Sequence, residues 1–501
     1  MTYDDWVQKE LNEAANTYRS RYGRQPSVSD LAHFAWQRLK DNRQYDNWLR
    51  AIREDDVPWE YDEEDGDPDP DPDPDPGGNG DHRRAEGRVR AHGGRAFEDD
   101  AGSFLAVGLT RFSWLRDWKF DRDRVIREIE ADAANGYDYA RVLGDVRGDY
   151  WNGRETDSTW SDHSELVAGL TRAAYVRGIR ILWTLCGDCR TDPTRHQSYR
   201  LGYVRRMGQV LKEVSDGVLF VEMVNEFRNG AVGPVSIEHI FEMADEFRAQ
   251  NNGFLVATGA VGDPGDGSSE GATGFSPDAW GKTQYPMERN GIGICHLDRD
   301  QSKSEREDRP WRQGWDVGLC GWRWCDNEPI GPGSSVSTEN RPEVLRSHKL
   351  VSFICRAAAS CFHGEFGVRG DRGVVTPNVP GYTMTPRAKR FLPGNLPNGW
   401  MHNANERYPG RPFHVSDDYI RSVSGKGCVR VYTCEAPDGR FFTVPFGVIS
   451  TVKLVARFPL HIKVWDQQAG GDEPERMLSL DKGESFDLPA CTDRLIEARR
   501  A

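Results

Sequence analysis

The sequence predicts an α/β protein centred on a (β/α)8 barrel, the TIM-barrel architecture, with a small helical module before it and an all-β sandwich after it. Three observations lead there. From residue 82 onward, short apolar strands alternate with amphipathic helical stretches. The strand starts recur at roughly 36-residue steps, and one βα unit of such a barrel needs about 30 residues or a little more. Eight strands are counted before the pattern gives way to period-two alternation and turns.

The strands are "FLAVGLTRF" (104–112), "DYARVLGD" (138–145), "IRILWTLCGD" (179–188) and "VLFVEMVNE" (218–226). They continue with "GFLVATGA" (253–260), "GIGICHLDRD" (291–300), "GWRWCDNE" (321–328) and "ASCFHGEFG" (359–367). Between them, "DRVIREIEADAANG" (123–136) places Val125, Ile126, Ile129 and Ala133 on one helical face and ends on a Gly stop. Residues 164–178 and 339–359 carry the same periodicity. A doubly wound open sheet would also alternate strand and helix, but no G-x-G-x-x-G follows the first strand. Upstream, "GRAFEDDAGSF" (94–104) reads as a hairpin that plugs the barrel floor.

The domain boundaries follow from composition. Residues 1–62 form the helical module, with Leu31, Phe34, Ala35 and Leu39 at helical spacing. Residues 63–81 contain "DGDPDPDPDPDPGGNG", where repeated Pro removes backbone donors and repeated Asp repels itself, so a semi-rigid tether is expected. The barrel occupies 82–405. Residues 406–501, with "GCVRVYTCEAPDGRFFTVPF" and its Asp-Gly turn, form the β-sandwich.

Bulk composition excludes several functions. The formal net charge of −14 lacks the basic face that nucleic acid requires. No stretch approaches about 18 continuous apolar residues, and "MTYDDWVQKELNEAA" lacks the parts of a signal peptide. A soluble protein with no membrane partner is expected, either cytoplasmic or delivered outside the cell or onto a virion by another route. "CGDC" (186–189) is the only Cys-x-x-Cys and has no second pair at zinc-ribbon spacing. "HLDRD" offers one His and two Asp from a single loop, too few for a metal centre. No cofactor and no metal are expected.

In this architecture the active site lies at the C-terminal ends of the strands. Those ends supply Arg141, Asp145, Asp188, Asn225, Glu226, His296, Asp298, Glu328 and Glu365. Only the fourth and seventh strands end on a Glu preceded by Asn: Asn225-Glu226 and Asn327-Glu328.

On these residues, region 94–370 resembles the clan A glycoside hydrolases, the retaining (β/α)8 glycosidases that include the cellulase-like family 5 enzymes. In that clan an Asn-Glu pair ends the fourth strand and its Glu is the acid/base, while the nucleophilic Glu ends the seventh. The resemblance implies that Glu226 is the acid/base and that Asn225 binds the sugar 2-hydroxyl. Arg141 and His296 take the supporting positions, Arg141 holding the nucleophile ionised. For the nucleophile, "GEFG" around Glu365 looks like the corresponding segment of many members. The strand count instead assigns it to the eighth strand, with an amphipathic helix (342–358) between it and Glu328. Glu328 is therefore favoured, and Glu365 is kept as a substrate-binding candidate. No Trp ends the eighth strand, where many members stack the sugar, so Trp114, Trp322 and Trp324 are candidates for that role.

The resemblance thus implies double-displacement hydrolysis of O-glycosidic bonds in a polysaccharide or oligosaccharide. A reading from another class stays open: a noncatalytic glycan-binding or virion or cell-surface attachment protein, oligomeric or docked to a larger particle through residues 1–62. Plainer readings also stay open for Glu226 as a strand-end ion-pair residue, Glu328 as a loop carboxylate, Arg141 as a strand tie and His296 as a core histidine. Glu222, a charge inside an apolar strand, is expected to support the site from the barrel interior.

Overall fold

The computed structural model describes residues 85–92, 96–134, 136–147, 151, 153–187, 197–225, 235–250, 253–259, 284–295, 323–327, 352–353, 357–362, 401–403, 412–415, 430–435, 439–446, 451–466, 474–488 and 494–501. The expected helical module (1–62) and Asp-Pro tether (63–81) lie outside them, as does nearly all of the expected helix 342–358. The hairpin, barrel and C-terminal sheets belong to one compact unit, residues 82–406 with 411–501.

Three antiparallel strands come first: β1 (Arg90–His92), β2 (Ala96–Asp99) and β3 (Gly102–Phe104). Next come the parallel strands β4 (Ala106–Thr110), β5 (Tyr139–Asp145), β6 (Arg180–Cys186) and β7 (Val218–Val224). The set is completed by β8 (Val256–Ala257), β9 (Gly293–Cys295), β10 (Trp324–Asp326) and β11 (Ala359–Phe362). Their order in the sheet is β8-β7-β6-β5-β4-β11-β10-β9. A parallel bridge from Val256 to Gly291 joins the two ends. The sheet is thus a closed eight-stranded barrel in chain order, with β7 the fourth strand, β10 the seventh and β11 the eighth.

Strand pleat divides the side chains between two layers, because neighbours along a strand face opposite ways. Tyr139, Leu182, Phe220, Ala257, Ile294, Cys325 and Cys361 fill the interior together with Phe97 and Phe104 of the hairpin. Their neighbours of opposite parity, Ala140, Val142, Trp183, Val221, Met223 and Trp324, face the helical layer. The hairpin closes the floor as expected: Arg180, the first residue of β6, donates to Asp99 Oδ2 at 2.6 Å and to the Gly87 carbonyl at 2.9 Å.

The helices are α1 (Trp114–Phe120), α2 (Arg122–Ala134), α3 (His163–Tyr175), α4 (Gln197–Lys212) and α5 (Ile237–Gln250). On α2, Val125 and Ile129 are fully buried, with Ile126 and Ala133 packed at the margin. Gly136 ends that helix at φ 81°, a conformation only glycine adopts without strain. The same helix also buries Asp132 and Glu128, which the apolar periodicity did not flag. Asp132 accepts two bonds from the buried Arg111 guanidinium at 2.9 and 2.7 Å, and Glu128 accepts from Trp114 Nε1 at 2.7 Å. Burial alone would lower the Arg111 pKa, but these carboxylates hold it above its ordinary value.

The C-terminal region is a sandwich. One sheet holds β12 (Met401–Asn403), β14 (Arg430–Glu435), β15 (Phe441–Phe446), β17 (Leu460–Asp466), β18 (Arg476–Leu480) and β20 (Arg494–Arg500). The other holds β13 (Phe413–Val415), β16 (Val452–Ala456) and β19 (Ser485–Leu488). Strand β12 pairs with β14, so the sandwich takes up chain before the expected start at residue 406. Phe441, Ile462, Val464 and Ile496 meet Phe413, Leu454 and Phe486 between the sheets. The alternate residues Phe442, Val444, Trp465 and Leu495 join the barrel's own core cluster instead. Among the described residues, no helix is long and apolar enough to cross a membrane.

His163, at the start of α3, donates through Nε2 to the Gly144 carbonyl at 2.9 Å and leaves Nδ1 buried without a partner among the described residues. Burial lowers its pKa to about 4, against the opposing pull of the Gly144 bond. The neutral ring is favoured by folding, so this contribution is complete above about pH 6.5 and is lost as pH falls from there toward about 4. Acid titration of stability should show a loss of about 3 kcal/mol across that window, and His163→Gln should flatten it. Gly259, at φ 130°, would place a Cβ 1.8 Å from the Val224 carbonyl oxygen. Gly259→Ala is expected to lose roughly 2–4 kcal/mol in urea unfolding.

Candidate active site

The interior parity of the strands brings four polar residues together above the apolar floor. Arg141 of β5, Thr184 of β6, Glu222 of β7 and Asn327, which follows β10, share the inward register of Tyr139, Leu182, Phe220 and Cys325. All four are buried. Thr184 stands directly opposite Glu222 in the β6–β7 ladder.

One carboxylate oxygen organises the group. Glu222 Oε2 accepts from Arg141 Nη2 at 2.9 Å and Nε at 3.2 Å, from Thr184 Oγ1 at 2.5 Å and from Asn327 Nδ2 at 3.0 Å. Arg141 Nη2 also donates to Asn225 Oδ1 at 2.7 Å, and its guanidinium lies 5.1 Å from the centre of the Phe112 ring. Asn225 is half-buried at the end of β7, where its backbone N–H continues the ladder to the Cys186 carbonyl at 2.8 Å. A buried guanidinium and carboxylate of opposite charge each offset the other's desolvation cost. This cluster therefore links the second, third, fourth and seventh strands at the end of the barrel where such proteins place their chemistry.

The expected site residues fall into three groups. Arg141 and Asn225 are joined directly. Arg141 ties strands together through Glu222 and Thr184, the plainer of its two readings, and reaches the mouth through Asn225. Asp145, the last residue of β5, is buried and accepts from the Ser158 backbone N–H at 3.3 Å, which anchors the loop after that strand.

Trp114 and Trp324 do not offer a stacking face. Trp114 sits on α1 with 1% exposure, hydrogen-bonded to Glu128 beneath Arg111. Trp324 has 0% exposure because its place in β10 has outward parity, so it points into the helical layer. A sugar needs an open aromatic face, and neither indole has one. Glu226, Glu328, Glu365, His296, Trp322, Asp188 and Asp298 lie outside the described residues.

Two contributors were not singled out by the sequence. Thr184 is a lone hydroxyl in an apolar run, and only the strand register shows that it meets Glu222. Asp326 faces the outer layer, where it accepts from Ser352 Oγ at 2.7 Å and Ser360 Oγ at 3.3 Å and braces β10 against β11. Among the described residues, no group of His, Cys, Asp and Glu is arranged to hold a metal ion. Cys186, the first cysteine of "CGDC", is buried, which pushes its thiol up to about 12 and leaves it protonated and unreactive at neutral pH.

No family model matches the sequence, and no curated protein matches it. Solved structures do match the fold. A glycoside hydrolase aligns with a TM-score of 0.58 at 12% identity, over 83% of this chain and 97% of that one. A family 5 glycoside hydrolase from Bacteroides vulgatus ATCC 8482 aligns with a TM-score of 0.55 at 13% identity, over 83% of this chain and 94% of that one. These alignments span too much of the chain to involve the barrel alone. The chain shares the fold of these structures, and here that fold is a (β/α)8 barrel with an attached β domain.

Proposed function

We propose that the protein is a retaining glycoside hydrolase acting on a polysaccharide or oligosaccharide, with Glu226 as acid/base and Glu328 as nucleophile. The observation that carries this reading is the link between Asn225 and Asn327 through Arg141 and Glu222. Each asparagine directly precedes one of the two glutamates. The strand order supports the choice of partner, since Glu328 follows the seventh strand and Glu365 the eighth.

A retaining enzyme needs its two carboxyl groups about 5–5.5 Å apart. In the first step the Glu328 carboxylate attacks the anomeric carbon while Glu226 gives its proton to the departing glycosidic oxygen. The C–O bond breaks and a glycosyl ester forms. In the second step Glu226, now a carboxylate, takes a proton from water as that water attacks the same carbon. The ester bond breaks, Glu328 is released as a carboxylate, and the sugar leaves with its original anomeric configuration. Asn225, held by Arg141, is the neighbour that binds the sugar 2-hydroxyl.

A panel of aryl glycosides and polysaccharides tests the assignment. Glu226→Gln should lower kcat/KM on polysaccharide by about 10²–10⁴-fold and much less on an aryl glycoside whose leaving group needs no proton, while the second step, which needs Glu226 as base, slows for both. Glu328→Gln should remove turnover of both. Full activity in either variant sinks that residue's role, and glycan binding without turnover by the wild type would favour the attachment-protein reading.

A further inference from the structure

Glu222 is a costly residue to keep where it is. Its Oε1 is buried and has no hydrogen-bond partner among the described residues, while Oε2 takes every bond the residue makes to Arg141, Thr184 and Asn327. A strand tie needs no such arrangement, because well-packed apolar side chains commonly replace a buried ion pair without loss of stability. The surrounding interior layer is already apolar, with Phe220, Leu182 and Cys325 one step below. A charge set into that layer fixes direction and distance in a way that apolar packing does not.

The connections show what is being fixed. Asn327 donates to Glu222, Glu222 binds Arg141, and Arg141 donates to Asn225. This path crosses the barrel from the end of the seventh strand to the end of the fourth. No backbone ladder connects those two strands, since β7 pairs with β6 and β8, and β10 pairs with β9 and β11. The backbone joins them only through the intervening strands, and the side-chain path adds a direct tie across the interior.

We infer that Glu222 is a positioning residue for catalysis, holding Asn225 and Asn327, the residues directly before the proposed acid/base Glu226 and nucleophile Glu328, in a fixed relation. This inference rests on the glycosidase reading above. Glu222 acts through Asn327 on one side and through Arg141 and Asn225 on the other, and it takes no part in bond making itself.

The test is steady-state kinetics on an aryl glycoside over a range of pH, with wild type, Glu222→Gln, Asn327→Ala and the double variant. Glu222→Gln and Asn327→Ala are each expected to lower kcat about 10–100-fold with KM nearly unchanged, as displacement of reacting groups by about 1 Å does. The double variant should be no worse than the poorer single variant, because both break one path. The two limbs of the pH profile should also move, since the mutual repulsion of two carboxyl groups depends on their separation. A merely structural role would lower Tm and leave kcat and the pH limbs of the folded protein in place. That result would overturn the inference while leaving the glycosidase reading intact. If Glu222→Gln fails to fold, Asn327→Ala, which keeps the Glu222–Arg141 pair, decides the matter. A wild type that turns over no glycoside ends both.

Discussion

A carboxylate and a guanidinium buried against each other at the barrel centre shape the functional half of this protein. Neither Glu222 nor Arg141 has any exposure, and each would carry a large desolvation cost alone. Their pairing demands that β5 and β7 hold their register through β6 between them, because a one-residue slip would turn either charge into the helical layer. It also demands hydrogen-bond donors from neighbouring strands, and Thr184 and Asn327 supply them. The apolar floor below, built from Tyr139, Phe220, Cys325 and the hairpin phenylalanines, keeps water from weakening the pair from beneath.

The alternation between interior and helical layer accounts for which expectations the structure met. The eight strands were legible because parallel strands buried on both sides read as continuous apolar runs at regular intervals. Their order around the barrel followed from simple succession, with β11 returning to β4. The position of Asn225 at the fourth strand end was legible for the same reason. Side-chain direction was harder to see, since in an all-apolar run a tryptophan of either parity looks alike. Trp324 differs from Asn327 by three positions, and that odd number puts the two in different layers. Trp114 belongs to a short helix whose partner, Glu128, sits in the next one. No spacing rule along the chain connects those residues.

Other features were hidden because they depend on pairing across distance. The bond from Asn327 to Glu222 spans 105 positions, and that from Arg141 to Asn225 spans 84. The sequence marked Glu222 only as a charge out of place in an apolar strand. It marked the start of the sandwich at 406 because the alternation becomes plain there, yet β12 is recruited earlier through its ladder to β14. In each case local pattern told the kind of residue or element, and tertiary partners told its use.

Part of the six-stranded sheet carries apolar residues on both faces, and this bears on how the chain can be divided. Phe441, Val464 and Ile496 need the smaller sheet, while Phe442, Trp465 and Leu495 need the barrel's helical layer. Cut away, the sandwich would present that second face to water as an adhesive patch. An accessory module carried on a tether can be exchanged between proteins without changing either neighbour. This one shares its core with the barrel, so a change at Phe442, Trp465 or Leu495 is felt on both sides of the boundary.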